Sequence, residues 1–297
     1  MPQSVDNKAP LIIWRLVDGK PGHENQTLGL ANAMRRVCER EQRPCTVCDI
    51  PVNRQQAGPS AYLQRKFPAG EGLPAPDFIL AAGSGTHWSL LCAKRCYGGK
   101  TVVLMKPSLP LSWFDWVVAP EHDAVSGKNV ISTKGVLNPM QPGEKVPGSV
   151  LVLVGGKSKH FEWDDERVLQ SLLDIRKKHP NLLLTDSRRT PTALRARLSQ
   201  VFDDQYLPWE MFNSSALVDQ LAKTETVYVT EDSVSMVYEA LTAGCYVNTI
   251  EVGRSRKQGR LARGLSLLSQ SNLINSDHTK DSNFNESERL AQYLINQ

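Results

Sequence analysis

The residues best suited to chemistry fall in five short stretches, each directly after an apolar run. The first, DGKPGHENQ at 18–26, offers Asp18, His23 and Glu24 as general bases, with Gly22, Asn25 and Gln26 beside them. The second, AAGSGTHW at 81–88, brings Gly83, Ser84 and Gly85, where backbone can approach a ligand, and His87 at the start of a helix. The third, GGKSKH at 155–160, combines Gly155 and Gly156 with Lys157, Ser158 and Lys159, a composition suited to phosphate. In the fourth, TDSRRTP at 185–191, Arg188 and Arg189 sit at a helix N-terminus, a place that usually attracts acids; their planar donors suit a diphosphate. The fifth, TEDSVSMVYEALTAG at 230–244, can cap its helix with Asp232 or Ser233 and offer free amides to an oxyanion, with Ser235 and Glu239 further along. Lys106 and His122 also follow strands of the first half.

These stretches must be positioned by an α/β framework. LIIWRLV, CTVCDIP, PDFILAAG, KTVVLMKP, DWVVAPE and NVISTKG read as strands, and 27–40 and HWSLLCAKRCY as helices. The stretch 18–26 reads as a nine-residue loop, longer than the roughly 2–6 residues usual between strand and helix. A Pro/Gly-rich segment, NPMQPGEKVPG at 138–148, reads as a linker, after which the pattern restarts. SVLVLVGG, NLLLTDS, TVYVTEDS and CYVNTIEV are the later strands, and 163–178, TPTALRARLSQVF, SALVDQLAKTE and VSMVYEALTAG the later helices. The division is 1–144, 145–275 and a tail at 276–297, whose helix-spaced end NESERLAQYLINQ can fold back on the first domain. Strand–helix alternation predicts two doubly wound parallel sheets, with ligands at the carboxyl ends of their strands.

Composition narrows the function. With 297 residues, 40% hydrophobic and 22% charged, the chain has the make-up of a soluble two-domain protein. No apolar run is long enough to span a membrane, and the polar opening residues 1–10 do not read as an export signal. The net charge of +4 is compatible with anionic small molecules and excludes no membrane surface, but no dense basic arm argues for nucleic acid. The basic segment 253–264 reads as a solvated surface, or as a contact for membrane phosphates. Of six cysteines, Cys45 and Cys48 form a C-x-x-C inside a strand, a poor setting for redox or zinc chemistry. All six are expected to be reduced thiols in the cytoplasm.

DGKPGHENQTLGLANAM, GGKSKHFEWD, TDSRRTP and VTEDSVSMVYEALTAGCYV, in this order, resemble the family named after a plant mitochondrial-fission protein (Elm), whose bacterial members are described as glycosyltransferases. The resemblance extends over about residues 11–275. The second half also resembles the donor half of GT-B glycosyltransferases, built from two Rossmann-like domains facing a central cleft. That resemblance implies that Glu239 holds the donor ribose, and that Gly156, Ser158, Arg188, Ser233 and Ser235 contact phosphate or sugar. The nucleotide base would be read near 208–213 by backbone at Met211 or Phe212. It also implies catalysis with no metal or cofactor beyond the nucleotide-sugar donor, Lys157, Arg188, Arg189 and helix amides stabilising the departing diphosphate. The acceptor, a cell-envelope glycolipid or polysaccharide precursor at the inner face of the membrane, would lie on the first domain. There 18–26 would face the cleft and supply the base, His23 and Asp18 ahead of Glu24. A nucleotide-sugar epimerase of the same architecture and a non-enzymatic partner-binding protein are the alternatives.

Overall fold

The computed structural model describes residues 9–55, 57–212, 214–253, 259–276 and 284–297. The chain forms two compact units: one runs to Pro139 and takes in Glu286–Gln297, and the other is Met140–Asn285.

The first unit contains β1 (Leu11–Val17), α1 (Pro21–Arg40), β2 (Cys45–Pro51), α2 (Pro59–Leu63), β3 (Phe78–Ala82), α3 (His87–Tyr97), β4 (Lys100–Leu104), β5 (Trp116–Pro120) and β6 (Val130–Thr133). The strands pair in the order β2-β1-β3-β4-β5-β6, all parallel. Both faces are covered, which is why β3 is buried at all five positions. Leu11 and Ile13 of β1 pack on the α1 side, and Trp14 and Leu16 on the α3 side, the period-2 alternation of a strand. Between β4 and β5, and between β5 and β6, the chain makes only single 3-10 turns, Leu111–Trp113 and Glu121–Asp123.

The opening loop is shorter than expected. Helix α1 begins at Pro21, so the strand-to-helix turn is 18–20, and His23, Glu24, Asn25 and Gln26 are helical. Proline at the first helical position has no N–H to leave unpaired and a φ already suited to a helix. Glu24 in the first turn accepts the Gly19 N–H at 2.8 Å, and Gly19 takes φ +76° in the turn. A side chain at Gly22, in the first turn of the helix, would meet open space.

A last helix, α9 (Glu286–Ile295), belongs to this unit. Its Leu290, Ala291 and Leu294 join the core beneath α1, while Glu288 pairs with Arg36 at 3.0 Å and with Arg40. Ser287 Oγ donates to the Asn138 carbonyl at 3.0 Å. Gly29 of α1 meets the same carbonyl so closely that a methyl group there would overlap it.

The second unit contains β7 (Val146–Leu153), α4 (Asp165–Lys178), β8 (Leu183–Thr185), α5 (Thr192–Phe202), β9 (Tyr206–Leu207), α6 (Ser214–Lys223), β10 (Thr224–Thr230), α7 (Val234–Thr242), β11 (Tyr246–Ile250) and α8 (Arg260–Gln270). Its parallel sheet has the order β11-β10-β7-β8-β9. Asp164 caps α4, accepting the amides of Glu166 and Arg167. Pro191 occupies the N-cap position of α5. The chain crosses from the first unit at Pro139–Met140. Lys145, in the Pro/Gly-rich segment, donates from Nζ to the Leu221 and Ala243 carbonyls at 2.8 and 2.7 Å. It thereby serves the C-terminal ends of α6 and α7. Of the basic segment 253–264, residues 254–258 lie outside the described residues, as do 277–283 of the tail and 1–8 of the leader. Residues 260–264 open α8.

Candidate functional site

In the first sheet, β1 lies between β2 and β3, and α1 and α3 pack on opposite faces. The carboxyl ends of β1 and β3 therefore open at a topological switch point, where sheets of this kind bind ligands. Two of the sequence stretches meet there. His23 Nδ1 lies 2.9 Å from Asp18 Oδ2, with the two side chains 21% and 9% exposed. The imidazole rests on Gly83, whose φ is +80° and where any Cβ would overlap the ring. Gly85 faces the Asp18 carboxylate. Arg15, buried in β1, grips Asp49 of β2 with Nε at 2.7 Å and donates to the Glu24 carbonyl at 3.2 Å, fixing the first turn of α1. Thr27 Oγ1 donates to the Glu24 carbonyl at 3.1 Å, a further tie within that turn. A carboxylate on Nδ1 favours the tautomer with the proton there, which leaves the Nε2 lone pair able to accept one.

The remaining candidates of this unit divide. Glu24 is occupied by the Gly19 amide, and Gln26 Nε2 donates back to the Gly22 carbonyl at 3.1 Å. Asn25 and Ser84 are exposed. His87 is a correction: it is 1% exposed, with Nδ1 3.2 Å from Ser108 Oγ and its ring edge-on to Phe114. Burial, and after it the nearby His23, pushes its pKa down to about 4. It is a neutral packing residue behind the dyad and not an acceptor contact. His122 is likewise buried, and Lys106 is exposed. The six cysteines are free, and burial raises the Cys45 thiol to about 12 and lifts Cys48 as well, so neither is a ready thiolate.

In the second sheet the switch point falls between β7 and β10. Three strand-end loops interlock there. The Gly155 amide donates to Thr230 Oγ1 at 2.7 Å, Gly156 to Asp232 Oδ2 at 3.0 Å, and Lys157 to the Arg189 carbonyl at 3.2 Å. Arg189 returns the contact, reaching the Gly156 carbonyl at 3.0 Å, Ser233 Oγ at 2.9 Å and the fully buried Asp232 carboxylate at 2.8 Å. A Cβ at Gly155 would overlap Asp232 and Ser233, and one at Gly156 the Arg189 backbone. The groups of Gly155, Gly156, Arg189 and Asp232 thus join the loops to one another, and Arg189 also lines the cavity beside them. Neither Asp232 nor Ser233 caps α7 with its side chain.

Beside this clasp lies a cavity of about 330 Å³. Its lining includes Arg188, Ser233, Ser235, Trp209, Phe212 and Met236. Arg188 is exposed, its guanidinium 5.9 Å from the Trp209 ring centre, and has no ion pair among the described residues. Ser235 stands exposed in the first turn of α7, where backbone amides lack helical partners. Glu239 does not line the cavity, but it follows Ser235 and Met236 one turn along the same helix face. Burial raises its carboxyl to about 7.

Not every expected donor residue reaches this cavity. Lys157 lines a separate polar one of about 550 Å³ with Trp163 and Arg167, and Ser158 Oγ accepts the His160 amide at 3.3 Å. Met211 is 70% exposed and outside the lining. The amides of Met211 and Phe212 both donate to the Pro208 carbonyl, so neither N–H is available to read a base; Asn213 lies outside the described residues. Sequence reasoning passed over Asp186 and Trp209. Buried Asp186 accepts the Trp209 amide at 2.8 Å and pairs with Arg195 at 2.6 Å, so it sets the ring that Arg188 covers. An acid at the end of a strand, next to two arginines, was the available signal.

Two parallel, doubly wound sheets, with the candidate residues at their switch points, define an α/β protein of GT-B-like fold. Residues 21–297 match the family described as Mitochondrial fission ELM1, and the chain belongs to that family. A candidate UDP-N-acetylglucosamine 2-epimerase from Listeria monocytogenes has a similar structure, with a TM-score of 0.60 at 13% identity, covering 97% of this chain and 95% of that one. The UDP-GlcNAc 2-epimerase from Neisseria meningitidis bound to UDP-GlcNAc gives 0.55 at 11% identity, over 97% of this chain and 100% of that one. At such identities the likeness is one of fold. An uncharacterized protein of Rickettsia prowazekii (strain Madrid E) is 22% identical over 295 residues, 78% of this chain and 81% of that one.

Proposed function

We propose that the protein is a metal-independent glycosyltransferase that takes a nucleoside-diphosphate sugar into the cavity of its second unit. The observation that carries this reading is Arg188, a cation without an ion pair among the described residues, held over Trp209 beside the first turn of α7. Trp209, Phe212 and Met236 offer apolar faces to a base. Arg188, Ser235 and the free amides of α7 suit the two phosphates, and Glu239 a ribose hydroxyl. When the bond from the sugar to the diphosphate breaks, charge grows on the departing oxygen, and Arg188 and those amides stabilise it.

The Asp18–His23 pair is the base in this reading: Nε2 takes the proton of the acceptor hydroxyl as its oxygen attacks the sugar carbon, and Asp18 steadies the imidazolium that results. The acceptor is proposed to be a glycolipid or polysaccharide precursor of the cell envelope. The Neisseria protein's UDP-GlcNAc makes uridine nucleotides the first to try. Melting in the presence of UDP, GDP, ADP, CMP and TDP tests the reading. A nucleotide at about 100 times its dissociation constant adds about 2.7 kcal/mol of stability. One nucleotide should raise the melting point and lose that effect in Arg188→Ala. No shift with any of them overturns the proposal. Turnover of a nucleotide-sugar without an acceptor would turn it toward epimerisation.

A further inference from the structure

The first unit carries a surface that this chemistry does not use. A cavity of about 350 Å³ opens among Pro59, Tyr62, Leu63, Trp88, Leu91 and Trp113. The Trp88 ring meets Trp113 edge-on at 5.9 Å and Tyr62 at 6.4 Å. Leu63 is 73% exposed and Trp113 45% exposed. They stand at the end of the five-residue α2 and in the turn Leu111–Trp113, outside the longer helices that cover the sheet. Large apolar side chains clustered in water around an open cavity indicate a surface that something covers.

Charge says what covers it. The stretches of sequence from which the lining residues come, 52–66, 87–97 and 105–115, hold Arg54, Arg65, Lys66, Lys94, Arg95 and Lys106 against a single acid, Asp115. Lys94 is neutralised by Asp115 at 2.7 Å; the other five have no ion pair among the described residues. Arg95 lies over the Tyr62 ring at 4.7 Å, which places a cation at the cavity rim. A second copy of this chain would bring the same cations against each other. Tryptophan and leucine at the tips with arginine and lysine around them match a lipid interface. There, rings sit at headgroup depth and cations meet phosphate.

We infer that this face of the first unit docks on an anionic phospholipid bilayer. Leu63 and Trp113 enter the interfacial layer, and Arg65, Lys66 and Arg95 meet lipid phosphates. The contact is independent of the nucleotide site, because every residue it uses belongs to the first unit.

Co-sedimentation of the full chain with vesicles tests it, using phosphatidylcholine alone and phosphatidylcholine with roughly a third phosphatidylglycerol. The protein should bind the anionic vesicles and release them as salt rises. Leu63→Ser with Trp113→Ser should weaken binding about tenfold or more, and Arg65→Gln with Lys66→Gln should weaken it on anionic vesicles only. Both pairs are surface changes, and unchanged circular dichroism melts would show that the variants fold. Failure of the wild-type protein to bind anionic vesicles would overturn the inference. So would a Leu63/Trp113 variant that binds as well as wild type, or a concentration-dependent dimer that this variant abolishes. None of these outcomes depends on whether a nucleotide binds.

Discussion

Arg188 and Arg189 are adjacent and have opposite surroundings. Arg189 is tied to buried Asp232, Ser233 and two backbone carbonyls, whereas Arg188 lies over the Trp209 ring and has no ion pair among the described residues. Removing the Arg189 guanidinium leaves the Asp232 carboxylate buried with a lost partner. Arg189→Ala should therefore cost about 3 kcal/mol in urea unfolding. Arg188→Ala should stay within about 0.5 kcal/mol of wild type while losing most of the nucleotide effect on melting. Equal destabilisation by the two variants would contradict this division. The sequence showed two arginines at a helix start, but which one was free depended on Asp232, more than forty positions away. Glu239 was legible as a carboxylate two turns into its helix; that it would be pushed toward neutrality was not, because burial is set by packing.

The elements were easier to read than their ends. All strands of both sheets except the two-residue β9 stand out as apolar runs, because two covered faces demand them; Tyr206–Leu207 is too short to show a pattern. The start of α1 was misplaced, since Pro21 and Gly22 look like loop residues until the proline is recognised as the first helical position. That error hid the geometry of the dyad: on a helix, His23 is carried back over the β1 end to meet Asp18 and rest on Gly83. Gly83→Ala should displace the imidazole and strain a φ of +80°, reducing transfer while nucleotide binding in the second unit persists. Gly29→Ala forces a methyl group into the Asn138 backbone and should cost about 2–3 kcal/mol in chemical denaturation. A wild-type midpoint for Gly29→Ala would mean that α1 is free to shift.

For the whole molecule, buried His87 and half-buried Glu239 give pH dependences of opposite sign. The Glu239 pKa is raised from 4.5 to about 7, so its contribution to stability is present below 4.5 and is lost as pH rises through 7. The His87 pKa is lowered from 6.5 to about 4, so its contribution is present above 6.5 and is lost as pH falls through 4. Each amounts to about 3 kcal/mol, and they oppose one another across the shared window. Glu239→Gln should therefore make stability rise with pH between 4.5 and 6.5, and His87→Gln should make it fall. Melting curves across that window check the signs; parallel profiles for the two variants would refute them. The strand–helix pattern restarts after the Pro/Gly-rich segment 138–148, and the chain passes between its two units at the start of that segment, Pro139–Met140, ahead of the 144/145 division read from the pattern. The docking of α9 on α1 rests on Glu288 meeting Arg36 and Arg40 some 250 positions earlier, a pairing that local pattern does not encode.

The central claim separates nucleotide binding in the second unit from proton abstraction in the first. Titration of wild type, Arg188→Ala and His23→Ala with UDP in a calorimeter, using whichever nucleotide the melting panel selects in its place, tests that separation most directly. Wild type and His23→Ala should bind alike, and Arg188→Ala should bind at least about 30-fold more weakly, the loss of roughly 2 kcal/mol expected for a charged contact to phosphate. Retained binding in Arg188→Ala, or lost binding in His23→Ala, would contradict the assignment of the two sites.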